Sequence, residues 1–182
     1  MGSDVDQALV ERFRQGDREA FAELVIRYQR PIYNAAFWIL RNAEDARDIT
    51  QAVFLRAAEH LDEFDSQHRF FSWIYRIAVN ESLNLLRRNG HEERLDEEID
   101  LPDDQRADPE SQASEAEESR RIRRALMSMS ANDRAVLVLR HFSECSYQEI
   151  AAILDLDEKT VKSRLFEARH RLRDILKDFR RG

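Results

Sequence analysis

Ser146 to Arg173, SYQEIAAILDLDEKTVKSRLFEARHRLR, is the stretch whose reading decides the fold. Ile150, Ala151 and Leu154 lay an apolar stripe along a short helix. Ser146 stands where a hydroxyl caps it, and Glu149, three residues on, completes a capping box. Asp155-Leu156-Asp157 interrupts the pattern, and a second helix follows from Glu158 with Val161, Leu165, Ala168 and Leu172 facing inward. At about 100° per residue the opposite side carries Lys159, Lys162, Ser163, Phe166, Glu167 and His170. This reads as a helix-turn-helix whose second helix offers a major groove cations for phosphates and short polar groups for base edges. An amphipathic hairpin with a solvated charged face is the competing reading. It accounts for the stripe but not for the cap, the turn and the basic second helix occurring together.

Working outward, the composition fits a helical protein. The 182 residues include only four glycines and three prolines, and 36% are charged. No apolar run approaches the roughly eighteen residues that span a bilayer, and the acidic N-terminus lacks the basic start of a signal peptide, so a cytoplasmic protein without membrane insertion is expected. Cys145 is the single cysteine, which excludes a disulfide framework and a cysteine-based metal site. It reads as a small packed residue, with a redox sensor as the second reading. His60, His68, His91, His141 and His170 are scattered without ligand spacing, no glycine-rich loop cradles phosphate, and no nucleophile has a partner. The expectation is a protein that is not an enzyme and needs no cofactor or metal.

The net charge of −7 argues at first sight against nucleic acid. Much of it sits in one tract: residues 92–119 hold thirteen acids against Arg94 and Arg106, so the rest of the chain is net basic. That tract has almost no large apolar side chains and cannot offset chain entropy by burial. It predicts an all-α protein of two small helical domains, 1–91 and 117–182, joined by an acidic flexible linker over 92–116.

In the first domain, helical spacing at Ala8, Leu9 and Phe13 breaks at Gly16-Asp17. A helix from about Arg18 follows, and Pro31 is expected to begin a further segment. Asn42 is placed to cap a helix running to about Leu61. Ile49 and Val53 point one way from it, and Arg47, Gln51, Phe54 and Ala58 roughly the other, which suits a central helix or one that docks on a partner. Phe64 to Arg88, FDSQHRFFSWIYRIAVNESLNLLRR, places a polar loop, Asp65 to Arg69, before a helix rich in aromatics and arginines. Phe70, Phe71, Trp73 and Tyr75 are either platforms for unpaired bases or core, and for at least two of them core is the better reading.

These motifs in this order resemble the extracytoplasmic-function sigma factors, small bacterial relatives of sigma-70 that retain its second and fourth regions. The resemblance runs from Leu9 to Leu176. It rests on Gly16-Asp17 with Ala20-Phe21, Asp48-Ile49-Thr50-Gln51 with Val53-Phe54, Phe71 to Asn80 (FSWIYRIAVN) and Ser146 to Arg169. It implies a promoter-specificity subunit whose partners are core RNA polymerase, through the β′ clamp helices and the β flap, and promoter DNA. Asp48, Gln51 and Phe54 would dock on the clamp. Asp65, Ser66, Gln67, His68 and Arg69, with Phe64 and Asn80 beside them, would capture a flipped base of the −10 element, while Arg76, Arg87 and Arg88 contact backbone. Lys159, Lys162, Ser163, Phe166, Glu167 and His170 would read the −35 element. The alternative is a stand-alone helix-turn-helix regulator, which predicts a βα-repeated receiver domain where this chain looks helical.

Two departures from the family pattern bear on control and on base reading. Arg47 and Ala52 stand where the resemblance implies carboxylates, which makes the docking helix more positive toward a basic clamp. Thr50 lies between them, and phosphorylation there would return about −1.5 to −2 charges. Thr50 is thus expected either as a kinase-controlled switch or as a helical threonine bonding back to its own backbone. A Ser/Thr kinase and an anti-sigma protein are the two regulatory partners the resemblance allows. The second departure is Glu167, where arginine is common in the family.

Overall fold

The computed structural model describes residues 2–89 and 121–178. Among these residues it is all-helical, with eight α-helices, one 3₁₀ turn and no strand. The expected linker, 92–116, lies outside the described residues, as does the start of the helix read from Glu117.

Helix α1, Gly2–Arg14, ends in a turn at Gly16, whose φ of 97° is left-handed backbone that favours glycine. Asp17 then caps α2, Arg18–Leu40, by accepting from the N–H groups of Glu19 and Ala20. Contrary to the sequence reading, α2 runs through Pro31 without a break. Proline removes one helical hydrogen bond, but Tyr28, Ile32, Ala35, Ala36 and Ile39 are all buried around it, and this packing holds the helix on course. Arg41 closes α2 in the left-handed conformation, and Asn42 caps α3, Ala43–His60, as expected. A 3₁₀ turn at Leu61–Glu63 and the loop 64–69 lead into α4, Phe70–Asn89.

In the second half residues 121–127 form α5, and Ser130 caps α6, Ala131–His141. Helix α7, Tyr147–Leu154, opens with the full capping box: Ser146 Oγ accepts from Glu149 N–H, and the Glu149 carboxylate accepts from Ser146 N–H. Its inward side chains are Ile150 and Ile153, a little rotated from the stripe read in the sequence. Asp155, at φ 54°, ends α7, and α8 covers Glu158–Asp178 with Val161, Leu165 and Ala168 buried.

The two halves share one core. Helix α6 is buried on every side, from Ala135 through Leu139, because α8 packs on one face and α2 on the other. Helix α7 rests on α4. Trp38 and Phe142 bring their rings to 5.0 Å across this boundary. Arg134, only 3% exposed, donates from Nη2 to the Ile39 carbonyl near the end of α2 (2.6 Å) and from Nη1 to the Met129 carbonyl after α5 (2.5 Å). Burial and the nearby Arg41 lower the pKa of this guanidinium. In place of a carboxylate it has backbone carbonyls, which at helix ends also carry the negative pole of the dipole.

Candidate nucleic-acid interface

The outer face of α8 presents the residues read from the sequence. Lys159, Lys162, Ser163, Phe166 and Glu167 are exposed, Phe166 at 63%, and His170 is half-buried with its ring 4.4 Å from that of Phe166. Helix α6 and Tyr147 of α7 back this face. Arg140 and Lys162 both lie over the Tyr147 ring, at 5.2 and 5.7 Å. Glu167 is paired with Arg171 at 3.2 Å, and Arg171 in turn grips both oxygens of Asp133 at 2.7 Å. Asp157, just before α8, accepts from Thr160 N–H and its hydroxyl, and these bonds hold the carboxyl below its ordinary pKa. The start of the helix is thereby fixed and its cations are held on a rigid rod.

Loop 64–69 is the second candidate surface. Asp65 accepts from Gln67 N–H at 2.9 Å, and His68 N–H donates to the Asp65 carbonyl at 3.0 Å, which makes a tight turn. Asp65, Ser66, Gln67, His68 and Arg69 are all exposed, as are Arg76, Asn80, Arg87 and Arg88 along α4. Phe64 is not: at 3% exposure it lies within 6 Å of the rings of Phe70 and Trp73 and forms the apolar floor beneath the loop. Buried there, its ring is not open to a captured base, contrary to the sequence reading. Phe70 and Tyr75 are core, as read for at least two of the aromatics, while Phe71 and Trp73 are half-buried. Burial pushes the Tyr75 hydroxyl up to about 12.

No local pattern in the sequence points to a contact between this loop and the helix-turn-helix. Arg69 pairs with Glu149, the capping-box carboxylate of α7, and Arg76 lies 3.8 Å from Asp155 in the turn before α8.

On α3, Asp48 and Gln51 are exposed, and so are Arg47 and Ala52. Phe54 is 8% exposed, edge-on to Phe21, and belongs to the core. The apolar side chain this face does offer is Leu55, 67% exposed. Helical geometry explains the exchange: at about 100° per residue, 55 falls between 48 and 51, whereas 54 lies well away from 48. Thr50 is half-buried, and its hydroxyl donates to the Ala46 carbonyl at 2.6 Å. Elsewhere, burial pushes the Cys145 thiol up to about 12, which disfavours the thiolate that redox sensing requires. Among the described residues no helix is long and apolar enough to cross a membrane.

Comparison with known proteins places this geometry. The family description Sigma-70 region 2 matches residues 24–92, and Sigma-70, region 4 matches residues 119–172. The chain is 33% identical over 178 residues to the ECF RNA polymerase sigma factor SigW of Bacillus subtilis (strain 168), across 93% of this chain and 95% of that one. It is also 33% identical over 174 residues to the ECF RNA polymerase sigma-E factor of Escherichia coli (strain K12), across 90% of each. Among solved structures, CnrH in complex with the cytosolic domain of CnrY superposes with a TM-score of 0.73 at 27% identity, over 96% of this chain and 98% of that one. The sigma factor RpoE of Bartonella quintana, solved with the anti-sigma factor NepR, gives 0.70 at 24% identity, over 86% and 96%, a likeness of fold.

Proposed function

The chain belongs to the extracytoplasmic-function sigma factors of RNA polymerase, and on that premise we propose that its two helical units divide promoter recognition between them. Residues 1–91 dock on the core enzyme through the exposed Asp48, Gln51 and Leu55 of α3 and take the −10 element in the loop Asp65 to Arg69, with Asn80 beside it and Arg76, Arg87 and Arg88 along the backbone. Residues 117–182 read the −35 element with Lys159, Lys162, Ser163, Phe166, Glu167 and His170. The observation that carries this reading is the α7–α8 pair, capped and buried on its inner side and cationic on its outer one.

The packed arrangement adds a step. Elements centred near −35 and −10 are separated by about 25 base pairs, or about 85 Å at 3.4 Å per step. A folded chain of this length has a radius of gyration of only about 16 Å. With Arg69 against Glu149 the two surfaces cannot reach both elements, so docking on polymerase must draw the units apart. Run-off transcription with core polymerase on templates drawn from a randomised promoter pool tests the function: initiation that depends on this chain supports it. Duplex binding without initiation would favour the stand-alone regulator.

Thr50 is the proposed control point. Arg47 and Ala52 leave the docking face short of negative charge, and Thr50, one turn from Arg47, is placed to restore it when phosphorylated, supplying acceptor oxygens to basic groups on the clamp. The bond to Ala46 does not oppose this, since that carbonyl keeps its helical N–H donor when the hydroxyl is modified. Core binding is expected to rise for the phosphorylated chain and for Arg47→Glu/Ala52→Glu, and Thr50→Ala should lose the response to kinase. Tight binding by the unmodified chain, indifferent to all of these changes, overturns the switch.

A further inference from the structure

Helix α1 lies outside the segment matched by Sigma-70 region 2, which begins at residue 24. Even so, a stripe of its side chains reaches the loop and both of its footings. Arg14, half-buried, donates through Nη2 to the carbonyls of Leu61 at 3.0 Å and Asp62 at 3.4 Å, and also to that of Phe64, so one guanidinium gathers carbonyls of the 3₁₀ turn and of the residue that opens the loop. Gln7, two turns earlier on the same side, donates from Nε2 to the Ser66 carbonyl in the middle of the loop. Asp6 is buried beside them; its carboxylate accepts from the Tyr28 hydroxyl and pairs with Arg27 at 3.1 Å. The Tyr28 ring stands 5.5 Å from Phe70, the first residue after the loop. Leu9 and Val10, both buried, fix the helix that carries these groups.

From this geometry we infer that α1 is a positioning element for base selection at the −10 site, with Gln7 and Arg14 as its positioning residues. The inference rests on the assignment of residues 65–69 to the −10 element. The bonds turn loop carbonyls toward α1 and leave the side chains of Asp65, Gln67, His68 and Arg69 outward. A loop held in this way has already met the ordering penalty that a free loop would meet on binding a base. Holding the backbone also keeps the polar groups at fixed separations, so a base with a different donor pattern leaves them unpaired. Without the ties the loop would adapt to wrong bases, and discrimination would fall more than affinity.

The test uses core polymerase loaded with the full-length chain and a randomised pool of single-stranded oligonucleotides. The selected sequence is then varied one base at a time. Arg14→Ala is expected to lower discrimination at the loop-read base about tenfold and Gln7→Ala about threefold, the scale of one charged and one neutral hydrogen bond. Affinity for core polymerase and selection among −35 duplexes should be unchanged. Arg14→Lys, which keeps the charge and some donors, should recover part of the loss. Gln7 is exposed and its truncation leaves no cavity, so Gln7→Ala remains informative if Arg14→Ala fails to fold. Gln67→Ala, in the loop itself, separates the two readings. If it shifts base preference while Arg14→Ala and Gln7→Ala do not, α1 is a structural brace only and the inference is overturned while the −10 assignment stands. If Gln67→Ala shifts nothing, the assignment fails and the inference with it. A uniform loss over all oligonucleotides also overturns it.

Discussion

The loop at residues 65–69 and the outer face of α8 are set up in opposite ways. The loop is irregular backbone tied to α1 behind and paired through Arg69 to α7 in front. The face of α8 is one side of a regular helix, exposed from Lys159 to Glu167. A duplex has a fixed shape, so a rigid helix needs only side chains at the right turns to read it. An extruded base has no frame of its own, so the protein must supply one, and irregular backbone holds a frame only where other groups restrain it. The loop therefore takes its shape from restraints by α1 and α7, whereas α8 keeps its shape by its own helical hydrogen bonds and rests only on its own unit, a contrast that substitutions can break or sharpen.

Arg134→Ala should have the largest effect. It leaves the carbonyls of Ile39 and Met129 without their donor inside the boundary between the units, and hydrogen bonds from a charged group are worth about 1.5–3 kcal/mol. A stability loss of about 2–3 kcal/mol is expected by urea unfolding. Because the boundary touches the loop side and not the outer face of α8, the free variant should bind single-stranded DNA better while its −35 duplex selection stays the same. An equal change in both would show that the two surfaces are not differently constrained.

Glu167→Arg acts on the other member of the comparison. A glutamate accepts from cytosine N4, whereas an arginine donates to guanine O6 and N7, so the preferred −35 base pair should change with a discrimination of about 1–3 kcal/mol. The substitution breaks the pairing with Arg171, but Arg171 keeps Asp133, so the fold of the unit should hold. Selection from randomised −35 duplexes is the measurement; the same sequence recovered for both proteins removes Glu167 from base reading. The −10 preference should not move.

How far the sequence revealed these surfaces follows from the range of the interactions. The helix-turn-helix was legible because Ser146, Glu149, Ile150, Val161 and Leu165 act within a few turns of one another, and capping and periodicity are local signals. The cap at Asn42 was legible for the same reason. Phe54 and Phe64 were misplaced because an aromatic at the margin of an apolar stripe goes wherever packing accepts it: Phe21 took one, and Phe70 with Trp73 took the other. Pro31 misled because local propensity was overridden by burial on both sides of it. The contact between the units did leave a trace, since Ala135 to Leu139 is apolar all round and such a helix must be covered on every side. Arg69 and Glu149 left none, as a pair separated by 80 residues has no local pattern.

That pair gives the smallest and most discriminating effect. Arg69 is 53% exposed and Glu149 16% exposed, so the coupling should be at most about 1 kcal/mol and weaken as salt is added. Glu149→Gln suits the measurement, because glutamine at the same position still accepts from Ser146 N–H and preserves the capping box while removing the charge. In the free chain, a double-mutant cycle with Arg69→Gln, read by urea unfolding, should return a favourable coupling. Arg171→Gln with Asp133→Asn is the companion cycle. Both of its residues lie within residues 117–182, so that coupling should persist whenever the unit is folded. In the holoenzyme the two cycles should part company. Once polymerase has drawn the loop away from α7, Glu149→Gln should leave −10 selectivity untouched whether or not Arg69 is present, whereas the Arg171–Asp133 pair, which holds Glu167 from behind, should still be coupled in −35 selection. If the Arg69–Glu149 coupling survived in the holoenzyme, the units would still be packed there, and the loop would be read with α7 against it.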